Sequence, residues 1–270
     1  MKKTILITGA SSGIGKATVL LFSAQGWNVV ATMRNPAENG ETTHLPNLLT
    51  TRLDVTDLAS VETAIQAAIS RFGQIDVVVN NAGYGLLGPF EATTETQVRQ
   101  QVETNFFGVL NVTRAILPHF RERRAGLIIN ITSMGGQLCF PLYSLYHATK
   151  WAVEGFTESL QYELAPLGIR VKLIEPGAIK TDFHARSQAL AQSEFISHYQ
   201  ALTERAIQRM NQENEHGASP NAVARVIYQA ATDGKAKLRY VAKARGILTL
   251  RKLLPDAIIF WVVRRFILGA

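Results

Sequence analysis

Short runs of β-branched and aliphatic residues recur along the chain: TILIT (4–8), NVVATM (28–33), DVVVN (76–80), GLIINIT (126–132), RVKLIEP (170–176) and KLRYVA (237–242). Longer segments of helical period separate them. Parallel strands need a crossover between them, and a helix is the usual one, so the alternation predicts βαβ units around a parallel sheet. Residues 14–26, 58–73, 96–122, 146–168 and 220–233 are the expected helices, and TTRLDV around 50–55 adds a weaker strand. The expectation is an α/β fold: a single doubly wound (Rossmann) domain over residues 1–242 with a seven-stranded parallel sheet. Two stretches break the pattern. Residues 182–219, rich in Gln, Ala and Ser, are expected to form a helical insertion beyond the carboxyl end of the sixth strand, where such folds bind ligands, and 243–270 a basic, apolar helical tail.

An apolar content of 47% with 18% charge over 270 residues suits a packed core and excludes disorder of the whole chain. The single cysteine, Cys139, excludes an intrachain disulfide and a Cys-rich zinc site, and the six histidines show no ligand spacing, so no metal is expected. No run approaches the ~18 apolar residues of a membrane span, and the apolar stretch Ile5 to Ile7 is too short for a secretory signal, so a cytoplasmic location is expected. The net charge of +7 is uneven: from Lys235 onward there are nine Lys/Arg and one acid, Asp256.

TGASSGIG (8–15) follows the first strand and opens the first helix. Glycines permit a tight turn and a close approach of backbone to a pyrophosphate, which then sits on helix N–H groups. Gly9, Ser11, Ser12, Gly13, Ile14 and Gly15 are therefore expected to hold a dinucleotide, although the spacing G-x-x-x-G-x-G is not the G-x-G-x-x-G fingerprint. After the second strand Arg34 stands where an acid would select the ribose hydroxyls, and an arginine can bond a 2′-phosphate, so NADP(H) is expected in preference to NAD(H). Asp54, followed by Val55, is read either as a partner of the adenine amino group or as a turn or cap residue. Asn81, Ala82 and Gly83 in NNAG would set backbone against the adenosine ribose.

Ser133 ends the fifth strand, and Tyr146 and Lys150, four apart, begin the next helix on one face. Carbonyl reduction needs a proton delivered to oxygen as hydride reaches carbon. A phenol with a pKa of about 10 is a poor base in the reverse direction unless a nearby ammonium favours its anion. Lys150 can supply that charge, and the Ser133 hydroxyl can hold the substrate oxygen near the phenol.

TGASSGIG, NNAG, NFFG, Ser133, YHATK and PGAIKT stand in the order and spacing of the classical short-chain dehydrogenases/reductases, and the chain resembles that family over about residues 3–242. The pattern is most similar to the hydroxysteroid and retinol dehydrogenase branch. The resemblance implies a catalytic tetrad of Asn105, Ser133, Tyr146 and Lys150, with Asn105 bending its helix and binding a water in a proton relay. It also implies that Tyr146 and Lys150 meet the cofactor, that Pro176, Gly177, Ile179 and Thr181 meet the nicotinamide carboxamide, and that the pro-S hydride is transferred. Arg34 fits the NADP-preferring pattern, but the basic residue that some such members place before the second glycine is replaced by Ser12. Family members commonly pair as dimers or tetramers through the helices at 96–122 and 146–168.

The expected substrate is a small hydrophobic ketone, aldehyde or alcohol, because residues 84–90 and 134–143 are mostly apolar. Alternatives are an acyl-carrier or fatty-acyl ketoreductase, or a non-catalytic NADP-binding sensor. Nucleic acid is not an expected partner. The tail is read either as an interfacial helix making peripheral contact with anionic lipid, or as a helix pair covering the pocket or an oligomer interface, with Pro255 breaking or restarting it.

Overall fold

A computed structural model describes residues 2–36, 45, 47–180, 188–190 and 197–269. In chain order the described elements are β1 (Thr4–Ile7), α1 (Gly13–Ala24), β2 (Asn28–Met33), β3 (Leu48–Arg52), α2 (Leu58–Phe72), β4 (Val77–Asn80), β5 (Gly85–Leu87), α3 (Glu95–Val102) and α4 (Gly108–Arg123). There follow β6 (Gly126–Ile131), α5 (Ser144–Leu164), β7 (Ile169–Pro176), β8 (Gln188–Leu190), α6 (Gln200–Glu215), α7 (Pro220–Thr232), β9 (Arg239–Ala242), α8 (Arg245–Leu253) and α9 (Asp256–Leu268). Seven strands form a parallel sheet in the order β3-β2-β1-β4-β6-β7-β9, the doubly wound arrangement, with the reversal of direction between β1 and β4.

Alternation along each strand divides the core between the two faces of the sheet. Ile5, Ile7, Val29, Ala31, Val77, Val79, Leu127 and Ile129 pack toward α1 and α7, against Phe22, Val223 and Ile227. Leu6, Val30, Val78, Ile128 and Val171 pack the other way, against Ile65, Val112, Ile116, Phe120 and Leu160 of α2, α4 and α5. Burying each such aliphatic side chain contributes about 1.5–3 kcal/mol, which is why the strands read as continuous apolar runs. Helix ends carry ordinary stops: Asp57 accepts the Ser60 amide at 3.1 Å to cap α2, Gly73 ends it at φ +83°, and Thr94 with Gln97 forms a capping box on α3.

Three details depart from the expected elements. The weak strand lies at Leu48–Arg52 rather than 50–55, because Asp54 already turns the chain by accepting the amide and hydroxyl of Thr56. The expected helix 96–122 is interrupted by a π-helical turn, Glu103–Phe107, centred on Asn105. Residues 85–87, which belong to none of the expected strands or helices, form β5, which pairs in parallel with β8 from within the 182–219 insertion. The rest of that insertion, where it is described, is a 3-10 turn at Ser197–Tyr199, α6, and a short return in which Ala218 bridges Ile179, and Pro255 does separate two tail helices, α8 and α9.

Candidate active site

The carboxyl ends of the central strands open on a cavity of about 1160 Å³. Gly9, Ser11, Ser12, Gly13, Ile14, Arg34, Asp54, Val55, Asn81, Ala82, Gly83, Ser133, Tyr146, Lys150, Pro176, Gly177 and Ile179 all line it. Gly15 is buried behind its wall, and Thr181 lies outside the described residues. At Gly9 the chain turns with φ +64°, and a Cβ there would come within 2.8 Å of the Ala82 Cα; at Gly15 it would meet the Gly9 carbonyl at 2.3 Å. Side chains would therefore push apart the turn and the end of β4. The same contact is held by hydrogen bonds: Asn81 Nδ2 donates to the carbonyls of Thr8 (2.9 Å) and Gly9 (3.0 Å), and Thr8 Oγ1 accepts the amides of Asn81 and Ala82, both at 3.0 Å.

The residues present fit a dinucleotide. The N-terminus of α1 has no side-chain cap and no acid in its first turn, so its positive end is directed at the cavity without internal neutralisation. Arg34 is exposed at the rim, beyond the end of β2. Burial by itself would raise the Asp54 carboxyl, but the bonds from Thr56 and the charges of Arg34 and Arg52 hold it below the usual range. Both readings of Asp54 are thus compatible with its place: it makes a turn and faces the cavity.

Ser133 follows β6 in extended conformation, and its Oγ accepts the Gly135 amide at 3.0 Å. Tyr146 lies in the first turn of α5, and burial pushes its phenol up, partly offset by a hydrogen bond with Ser133. Lys150, one turn on, is 7% exposed; its Nζ donates to the Ile131 carbonyl at 2.9 Å and lies 5.7 Å from the Tyr146 ring centroid. Burial lowers the ammonium to about 8, against the opposing charge of Glu154. Burial is thus the larger influence on the phenol and raises it, with the Ser133 bond pulling the other way, so the phenol is protonated at neutral pH.

Asn105 is buried, and its carboxamide is engaged in both directions with Tyr84: Nδ2 donates to the Tyr84 carbonyl at 2.8 Å, and Oδ1 accepts the Tyr84 amide at 3.0 Å. A Cβ on Gly83 would sit 3.1 Å from Asn105 Oδ1 and 3.8 Å from Lys150 Nζ, so the glycine lets these two groups converge. Sequence reasoning missed Gln101, one turn before Asn105, which accepts the Leu86 amide at 2.7 Å and donates to the Tyr84 carbonyl at 3.0 Å. The available signal was a pair of carboxamides four apart on one helix face. It also missed Tyr143 and His147, whose rings lie 5.6 and 5.7 Å from that of Tyr146. Burial depresses His147 to about 4, so it is neutral and its Nδ1 accepts the Phe140 amide at 3.3 Å. Phe140, Tyr143, Met210, Ile247, Phe266 and Ile267 make the far wall of the cavity apolar.

Residues 3–191 match the family model for short chain dehydrogenase, and the chain belongs to that family. An uncharacterized oxidoreductase of Schizosaccharomyces pombe is 41% identical over 77% of this chain and 87% of its own length. The 3-ketodihydrosphingosine reductase of Bacteroides thetaiotaomicron is 46% identical over 66% of this chain and 65% of its own, and retinol dehydrogenase 8 of Bos taurus 32% identical over 96% and 88%. Among solved structures, a short-chain dehydrogenase from Streptomyces avermitilis superposes with a TM-score of 0.83 at 33% identity, covering 98% of this chain and 96% of the other. ElxO with NADP bound gives 0.74 at 30% identity, covering 91% and 100%; the 3-ketoacyl-(acyl-carrier-protein) reductase of Brucella melitensis with NADH gives 0.75 at 27%, covering 89% and 97%. With the dinucleotide cradle described above, these relatives make the protein an oxidoreductase that uses a nicotinamide cofactor.

Proposed function

We propose that the protein is an NADP(H)-dependent reductase and dehydrogenase interconverting a hydrophobic ketone or aldehyde with its alcohol. The convergence of Ser133, Tyr146 and Lys150 at the inner end of the dinucleotide cradle carries the reading. NADP(H), when bound, supplies or accepts the hydride. In reduction the Tyr146 phenol gives its proton to the substrate oxygen, and the Ser133 hydroxyl donates a hydrogen bond to that oxygen and so fixes it within reach. The Lys150 ammonium stabilises the phenolate left behind and, in the reverse direction, makes the phenol a usable base. Asn105 positions Gly83 and Tyr84 against Lys150, and the water relay proposed for it is a further task of the same turn.

NADP(H) preference rests on Arg34 at the rim of the cavity and on the absence of an acid at the end of β2. An apolar substrate is supported by the wall of Phe140, Tyr143, Met210 and Phe266, and by the likeness to enzymes named for retinol and for 3-ketodihydrosphingosine. Assembly as a homodimer is proposed through α4 and α5 with the π-helical turn before them, where Phe107, Trp151 and Tyr162 are exposed.

The test follows cofactor absorbance with NADPH or NADH against a panel of apolar ketones and aldehydes, with Tyr146→Phe as control. Turnover with NADPH should fall by about 10²–10⁴-fold in the variant while NADPH binding persists, since only the proton transfer is removed. NADPH binding without turnover of any carbonyl would instead favour a sensor.

A further inference from the structure

The two tail helices have faces with opposite surroundings. Inward, Leu248, Ile259 and Ile267 are buried, and Phe266 and Ile267 help to wall the cavity. Outward, Leu253 is 74% exposed, Phe260 and Trp261 are each 64% exposed, and Leu250 and Ile258 are open as well. With Val262 and the outer part of Phe266, seven large apolar side chains are left in water on two successive short helices, a density beyond scattered single exposure. The same two helices carry exposed cations: Arg245, Lys252, Arg264 and Arg265. Asp256, the one acid after Lys235, is already paired with Arg251 at 2.6 Å, so nothing acidic in this part of the chain offsets the remaining charge.

We propose that α8 and α9 dock the protein on an anionic lipid surface. Leu253, Phe260 and Trp261 enter the boundary between headgroups and acyl chains, while Lys252, Arg264 and Arg265 reach the lipid phosphates. The 13 residues of α9 are fewer than the ~20 needed to cross a bilayer, so the helix lies in the plane of the surface. Trp261 and Arg265, one turn apart, share the outward face, which suits a site that is apolar at one depth and charged at the next. A second copy of the chain fits less well, because a two-fold contact would set the same arginines against each other. If the function proposed above holds, docking would bring the Phe266 end of the cavity to the bilayer, where a lipophilic carbonyl is already dissolved; the docking itself does not depend on that reading.

The full-length protein is sedimented with vesicles of phosphatidylcholine alone and of phosphatidylcholine mixed with phosphatidylglycerol. Binding to the mixed vesicles at low salt, weakened by added salt, is expected. Arg264→Glu combined with Arg265→Glu should weaken it on the order of fivefold or more per site, and Leu253→Ser, Phe260→Ser and Trp261→Ser together should abolish it. Trp261 emission should shift to the blue with mixed vesicles, and that change should be absent in Trp261→Phe. Turnover of a water-soluble carbonyl should be unchanged in all these variants, which separates loss of docking from loss of activity. The proposal is overturned if the wild-type chain stays in the supernatant with mixed vesicles, if the triple variant sediments as the wild type does, or if the triple variant abolishes self-association in the absence of lipid while vesicle binding never occurs.

Discussion

Arg34 sits at the open rim of the cavity, so its contribution to cofactor choice must come from a charge-assisted contact rather than from burial. Such a bond is worth about 1.5–3 kcal/mol, and Arg34→Glu also adds repulsion, so kcat/KM with NADPH should fall roughly tenfold to hundredfold while that with NADH is held or improved. Steady-state kinetics with both cofactors read the ratio, and an unchanged ratio would remove Arg34 from the selection. Residues of this kind were legible in the sequence because their chemistry is local: an arginine at a strand end, or a phenol and an ammonium four apart behind a serine. His147 and Tyr143 were not, although they stand beside Tyr146 in the chain. What makes them notable is the burial that keeps His147 neutral and the packing of three rings, and neither property is written in spacing.

At the scale of elements, the central strands could be read because each lies between two helical layers and is mostly aliphatic, whereas β5 and β8 could not. Each has three residues and exists only through pairing with a partner about a hundred positions away. The break between α3 and α4 was visible only as an asparagine expected to bend its helix; the structure adds that Gln101 and Asn105 together hold the backbone of residues 84–86. Gln101→Leu would leave the buried Leu86 amide without its acceptor, at a cost of about 1–3 kcal/mol. Thermal unfolding should report that loss, and because Tyr84 lines the cavity, kcat/KM should fall with cofactor affinity less affected. A variant as stable as the wild type would show that water replaces the glutamine.

Across the whole molecule, helix α5 and the last two strands of the sheet meet in a partly buried cluster of charge one turn beyond Lys150. Arg239 of β9 bonds Glu154 of α5 at 2.9 Å, lies 3.4 Å from Glu175 of β7 and reaches Glu158 at 2.5 Å, while Gln137 donates to Glu175 and Thr132 donates to Glu154 at 2.6 Å. Among the described residues Glu175 Oε2 has no partner, and its side chain is 1% exposed. Burial, and then the charge of Glu154, push the Glu175 carboxyl from its ordinary 4.5 up to about 7, against the pull of Gln137, Arg239 and Lys252. Between those values the folded chain keeps a proton that the unfolded chain has released, so this group's contribution to stability falls as pH rises through the window and levels out above about 7. His147, lowered to about 4 by burial, has the opposite slope between there and its ordinary 6.5, so the unmodified protein alone would show a partly cancelled profile. The comparison with Glu175→Gln isolates the carboxyl, because glutamine occupies the site without ever ionising. The stability of the variant relative to wild type should rise with pH across the window by roughly 3 kcal/mol, as expected for a displacement of this size. Denaturant unfolding at a series of pH values measures it, and a difference that stays constant across the window would mean that Arg239 keeps Glu175 ionised throughout.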